Sequence, residues 1–186
     1  MKITRVFKAV ATAGALALLM GGTAQAVTLN TMNGSEPGSI DPHRATGDWE
    51  GRIVGDYIEG LVADDANADA IPGQAASWDI SEDGLVYTFH LREGIQWSDG
   101  EPVKASDFEF AFRRLFDPAT ASEYAYLQYP IKGGSEIADG SMPVDSADFG
   151  VKSIDDKTLE ITLEGPTPYF LQALTHYTAY PVPQHV

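Results

Sequence analysis

The chain has 186 residues, no cysteine, 27 acidic against 12 basic side chains and a net charge of −15. Such an acidic balance argues against nucleic acid and anionic membrane as partners, since both repel a negative surface. Without cysteine there is no disulfide framework and no lipid-bearing cysteine after a leader.

Residues 1–26 read as a secretory signal peptide. Lys2, Arg5 and Lys8 precede an apolar run from Ala9 to Met20 that is too short to span a bilayer, and Ala24, Gln25 and Ala26 form an A-x-A cleavage site. The mature chain then starts at Val27, exported, soluble and not a lipoprotein. It keeps 160 residues and a net charge of −18, because the leader holds three basic residues and no acidic ones. That length suffices for one domain with its own core.

Thr28 to Asn33 is a short strand candidate, followed by a turn-rich loop from Gly34 to His43. Asp48 is expected to cap a helix that aligns Trp49, Ile53 and Tyr57 along one face, with Ile58 and Leu61 beside it. Gly51 and Gly55 weaken that helix, which must rely on packing. Ala63 to Ala70 is acidic and loop-like. Asp65, Asn67 and Asp69 match half of a calcium-loop pattern, but Ala70 and Ala76 stand where the pattern needs Gly and Glu, leaving a solvated turn.

The strongest local signal is a strand, a tight turn and a helix in succession. Leu85, Tyr87, Phe89 and Leu91 alternate with Val86, Thr88, His90 and Arg92, the period of a half-buried strand. Ser98, Asp99 and Gly100 supply turn chemistry. Ser106 and Glu109 are spaced as a capping box, Phe108, Phe112, Leu115 and Phe116 follow at helical spacing, and Asp117-Pro118 stops the helix. Beyond it, Tyr124, Tyr126 and Tyr129 offer rings and hydroxyls suited to a polar ligand held without covalent chemistry; for Tyr126 and Tyr129, packing around the helix is the expectation. Asp148 to Glu164 reads as a hairpin turning at Asp155 to Lys157. Thr167 and Pro168 open a further helix carrying Tyr169, Phe170 and Leu174.

No catalytic signature is present. The chain lacks G-x-S-x-G, a P-loop, H-E-x-x-H and any nucleophilic cysteine, and His43, His90, His176 and His185 make no ligand-spaced pair. Neither an enzyme nor a metal or cofactor site is expected. A carboxylate-based hydrolase stays open only because acidic residues are abundant.

The string YTFHLREGIQWSDGEPVKASDFEFAFRRLFDP, from Tyr87 to Pro118, resembles the signature of the extracellular solute-binding proteins, family 5, which serve peptide-importing ABC transporters. The segments NGSEP before Asp41-Pro42-His43, IPGQAASW ending at Trp78, and VKSIDDKTLEITLEGPTPYF from Val151 extend the resemblance across residues 29–186. It implies a mixed α/β (α+β) fold of the type II periplasmic-binding-protein kind. Residues 27–60 would begin the first ligand-binding lobe, and 61–186 would form a subdomain added to it. It further implies a periplasmic peptide-binding component that closes about its ligand by a hinge, grips the peptide backbone in a strand-like mode and delivers it, as a monomer, to permease subunits. Carried over by position, the ligand contacts fall at Thr46, Gly47, Asp48 and Tyr124. Thr46 and Asp48 depart from the acidic and apolar residues of the family pattern, a change that spares backbone contacts and alters side-chain selectivity. The resemblance breaks off at Val186, before proteins of this family end, so the chain alone is expected to form half a clamp and bind peptide weakly or not at all. The alternative of another class is a standalone exported module that binds a protein.

Overall fold

The computed structural model describes residues 32–186, of which Asn33–Val186 form one compact unit. The leader and most of the strand expected at Thr28 to Asn33 lie outside the described residues. Helix α1 (Asp48–Tyr57) comes first, then a two-stranded antiparallel pair, β1 (Val62–Asp64) and β2 (Ala70–Pro72). The acidic loop between them closes on itself, with the Asp65 carboxylate accepting from the Asn67 and Asp69 amides at 2.7 and 2.9 Å. The short strands flanking that loop were not expected.

The centre is a four-stranded antiparallel sheet of β3 (Ala75–Ile80), β4 (Val86–Leu91), β5 (Val151–Ser153) and β6 (Thr158–Thr162), in the order β3-β4-β6-β5. Alternation in β4 sends Tyr87, Phe89 and Leu91 to the buried face, as the sequence pattern requires. Across the sheet Phe89 pairs with Leu159 and Tyr87 with Ile161, so β6 adds the same alternation to the same face. The expected hairpin is present as β5–β6, and Trp78 packs half-buried against Phe89 with ring centroids 6.3 Å apart. On the outer face His90 Nε2 meets the Asp79 carboxylate at 2.8 Å.

Helix α2 (Ala105–Phe116) lies on the buried face and fills it with Phe108, Phe112, Leu115 and Phe116, each no more than 1% exposed. Between β4 and α2 the chain makes a second tight turn. Gly100 there takes φ +93°, a left-handed conformation that costs glycine no steric penalty. Further on, α3 (Gly134–Ala138) packs against α2, and Phe149 meets Phe116 edge-on at 5.9 Å. The helix expected after Thr167 is a single turn, α4 (Phe170–Ala173), and Thr167 does not cap it: its hydroxyl turns back to the Gly165 carbonyl. Phe170 and Leu174 are buried as expected, while Tyr169 is exposed. Among the described residues no helix is long and apolar enough to cross a membrane.

The start of α2 corrects the capping assignment. The helix begins before Ser106, and the buried carboxylate of Asp107 accepts from the Lys104 amide at 3.0 Å and from the Trp97 indole at 3.2 Å. Its other oxygen accepts from the Gln184 amide at 3.2 Å. Glu109 is instead bound to Arg113 at 2.9 Å and to the Ser153 amide at 2.8 Å, tying α2 to β5. A carboxylate three residues into a helix reaches back to the N-cap amide, and Asp107 rather than Glu109 holds that place here. Asp107→Ala, which strands these donors, is expected to destabilise the fold by about 1–3 kcal/mol. Ser106→Ala should fall within about 0.5 kcal/mol of the parent. Urea denaturation of the two variants separates the assignments, and the reverse ranking would restore Ser106 as the cap.

Candidate functional site

The segment leading into α1 is shaped by one side chain that the sequence reading passed over. Glu50 sits in the first turn, is 4% exposed, and accepts four backbone N–H groups: Gly38 at 2.6 Å, Ser39 at 2.9 Å, Thr46 at 2.5 Å and Gly47 at 2.8 Å. These hydrogen bonds, led by that from Thr46, hold the Glu50 carboxyl down at about 2. Gly47, not Asp48, is the N-cap residue, and Asp48 is the first residue of the helix. The hydrophobic-face expectation is likewise inverted. Glu50 and Val54 point inward, whereas Trp49 is 39% and Tyr57 53% exposed. An apolar stripe faces outward because the inward positions must hold a carboxylate that the loop amides need.

A second link fastens the loop to α2. Arg114 makes a two-pronged contact with Asp41, at 2.9 and 2.5 Å, and donates to Nδ1 of His43 at 2.8 Å. A guanidinium only donates, so Nδ1 must be an acceptor and the imidazole neutral, with its proton on Nε2. Nε2 is buried against the Tyr180 backbone without a well-formed hydrogen bond. Burial, and then the Arg114 charge, depress the His43 pKa to about 4. His43 is thus a buried structural partner of Arg114.

Thr46 and Asp48 are exposed, Gly47 and Tyr124 half-buried. The element that relates them is Tyr177, in the 3-10 turn Tyr177–Ala179. Its ring lies against Gly51 of α1, where an added Cβ would come within 2.8 Å of it, and its hydroxyl donates to the Ala45 carbonyl at 3.3 Å. Its pKa is pushed up to about 12, first by burial, then by the charges of Tyr124, Glu50 and Asp48. His176 packs on Tyr177 with ring centroids 4.0 Å apart and on Tyr124 at 6.0 Å, and Tyr124 continues to Tyr126 at 5.9 Å. The structure therefore brings the helix start and Tyr124 into one aromatic-lined surface. Tyr126 is 54% exposed and does not pack on α2 as expected, whereas Tyr129 reaches Phe116 at 6.1 Å. His176 and Tyr177 were missed. The available signal was the aromatic-rich HYTAY run from His176 to Tyr180.

Open grooves among the described residues lie elsewhere, and two of them bear on ligand binding. One, of about 440 Å³, is lined by Tyr57, Glu59, Gln74, Arg92, Trp97 and Pro183, with Glu59 paired to Arg92 across it. The other, of about 540 Å³, is lined by Arg44, Phe110, Arg113 and Arg114. Neither includes Thr46, Gly47, Asp48 or Tyr124. These arginines are already bound to Asp41 and Glu109, apart from Arg44, so the second groove carries little free positive charge.

This unit of sheet, α2 and anchored loop has its structural counterparts in part of the chain of type II periplasmic binding proteins. Haemophilus influenzae OppA in complex with RPPGFSPFR matches it at a TM-score of 0.78 and 42% identity, over 82% of this chain and 30% of that one. Unliganded MppA, a murein tripeptide-binding protein, matches at a TM-score of 0.76 and 36% identity, over 81% and 29%. Residues 69–185 match the model of the bacterial extracellular solute-binding proteins, family 5 Middle, and the chain belongs to that family. The periplasmic oligopeptide-binding protein OppA of Escherichia coli is 46% identical over 92% of this chain and 34% of its own length. The probable deoxycholate-binding periplasmic protein YgiS of the same organism is also 46% identical, over 83% of this chain and 28% of its own length. The chain spans about a third of the length of these curated relatives.

The anchors make stability fall in acid. A group whose folded pKa is depressed contributes fully above its unfolded value and loses the contribution as pH drops toward the folded one. For His43 that window runs from about 6.5 to about 4, and for Glu50 from about 4.5 to about 2. Thermal unfolding between pH 8 and 3 should show stability declining below about pH 6.5, by about 3 kcal/mol from His43. His43→Asn, which keeps an acceptor for Arg114, should flatten the upper limb and leave the lower one.

Gly51→Ala tests the Tyr177 contact. The gain in helix propensity is about 1 kcal/mol, whereas overpacking against a ring pinned by its hydroxyl costs about 1–3 kcal/mol. Net destabilisation in a melting curve is expected, and a stabilised variant would mean that Tyr177 gives way freely.

Proposed function

We propose that the chain carries part of the peptide site of a periplasmic binding protein that feeds an ABC importer. The observation that carries this reading is that Tyr177, lying on Gly51 and bound to the Ala45 carbonyl beside Thr46, Gly47 and Asp48, links the exposed α1 start through the His176 ring to Tyr124. Glu50 holds the loop backbone in one shape before any ligand arrives, which lowers the ordering cost of binding. The names of the relatives support the ligand class: an oligopeptide-binding protein at 46% identity, and an OppA structure holding a nonapeptide. In this reading residues 1–26 are removed on export to the periplasm, 27–60 begin the first lobe and 61–186 are its added subdomain. The protein binds without altering its ligand, needs no cofactor, has no lipid anchor, and as a monomer hands peptide to permease subunits.

Saturation-transfer NMR on the purified chain with millimolar tri- to pentapeptides tests the site. Weak transfer to peptide protons is expected, lost in Tyr124→Ala while the melting temperature is kept. Transfer unaffected by Tyr124→Ala would remove Tyr124 from the site. Transfer to deoxycholate but to no peptide would replace the ligand class, a comparison worth including given the resemblance to YgiS.

A further inference from the structure

The 440 Å³ groove combines three features that the peptide reading does not use. At its rim the Arg92 guanidinium meets the Glu59 carboxylate, and both side chains are half exposed. One guanidinium nitrogen and one carboxylate oxygen enter that contact, which leaves further donors and a second acceptor oxygen for a ligand. The walls are aromatic and aliphatic. Tyr57 is held by its hydroxyl on the Ile40 carbonyl and Trp97 by its indole N–H on Asp107 at 3.2 Å, with Ile95 and Val103 beside them. The buried polar member of the wall is Gln74, 7% exposed. Its amide nitrogen donates to the Glu59 carbonyl at 2.6 Å, and its Oε1 is buried with no donor among the described residues. A buried carbonyl oxygen without a donor costs free energy that a bound N–H or O–H recovers.

These features define the ligand by its chemistry. A simple anion or cation gains little at the rim, because Arg92 and Glu59 already neutralise each other. A zwitterion adds a carboxylate to Arg92 and an ammonium to Glu59 and leaves the site neutral, with charge-assisted hydrogen bonds at both ends. A purely apolar body would fill the walls and leave Gln74 Oε1 without a partner. We propose that the groove binds a free amino acid whose aromatic side chain carries an N–H or O–H donor, tryptophan or tyrosine. Its α-carboxylate lies on Arg92 and its α-ammonium on Glu59, the ring enters between Tyr57 and Trp97, and the indole N–H or phenol O–H reaches Gln74 Oε1. A mainly apolar groove of this volume with a few placed polar groups is typical of small-ligand sites. The groove shares no residue with Thr46, Gly47, Asp48 and Tyr124, so this site stands or falls apart from the proposed peptide surface.

The test follows the Trp97 indole N–H resonance in the nitrogen-15-labelled chain, assigned with Trp97→Phe, during titration with unlabelled amino acids. L-Tryptophan and L-tyrosine should move it saturably at millimolar concentration. L-Phenylalanine, which has no ring donor, should bind about tenfold more weakly, and so should N-acetyltryptophanamide, which has neither charge. In Gln74→Leu the preference for tryptophan over phenylalanine should disappear, a change that loosening of the fold would not produce. If that variant does not fold, the four ligands on the parent chain decide alone. An unmoved Trp97 resonance overturns the proposal, as does equal binding of tryptophan, phenylalanine and the uncharged analogue. A tryptophan response lost in folded Tyr124→Ala also overturns it, by placing the amino acid on the peptide surface.

Discussion

The Glu50 carboxylate is the constraint on which the candidate site depends. Four amide N–H groups from two separate turns need acceptors, and a single buried carboxylate supplies them all. Backbone donors buried without partners cost as much as lost hydrogen bonds, so the loop before α1 has one low-energy shape. Thr46, Gly47 and Asp48 are presented by that shape. The same requirement forces the first turn of α1 to face inward with an acid, and so turns Trp49 and Tyr57 out.

From Glu50 the ordering passes to the rest of the unit through charged and aromatic contacts. Arg114 couples the loop to α2, α2 is glued to the sheet by four buried aromatic and aliphatic side chains, and Glu109 ties α2 to β5. Tyr177 comes from the far end of the sequence and closes the ring by touching both α1 and the Ala45 carbonyl. Single buried ions are costly, but each of these carboxylates is surrounded by donors, which makes the arrangement favourable and specific. The arrangement is also acid-sensitive, because every anchor depends on a charged carboxylate or a neutral imidazole.

The aromatic surface of Tyr124, His176 and Tyr177 suits a ligand held by contact and hydrogen bonding. Rings supply area at little cost in rotamer entropy, and the hydroxyls supply directional partners without a reactive group. An equal 46% identity to an oligopeptide-binding protein and to a probable deoxycholate-binding one shows how far one scaffold is shared between ligand chemistries. Ligand choice therefore rests on particular side chains rather than on the fold.

By itself the sequence determined the elements whose signal is periodic and local. The alternation of Tyr87, Phe89 and Leu91, the helical spacing of Phe108, Phe112, Leu115 and Phe116, the Gly100 turn and the β5–β6 hairpin are all present as read. Long family strings such as that from Tyr87 to Pro118 carried the family as well, because motif order along the chain needs no knowledge of contacts. Only the tertiary structure decided which face of α1 is inside, which acid caps α2, and that Tyr177 joins the helix start to Tyr124. Periodicity ranks apolar residues inward, and it fails at α1 because a buried carboxylate with four donors outweighs a Trp. The Ser106–Glu109 spacing fits a capping box equally well, and only the path of the chain before the helix selects Asp107. Tyr177 lies 126 residues from Gly51, and a contact at that separation leaves no trace in local spacing.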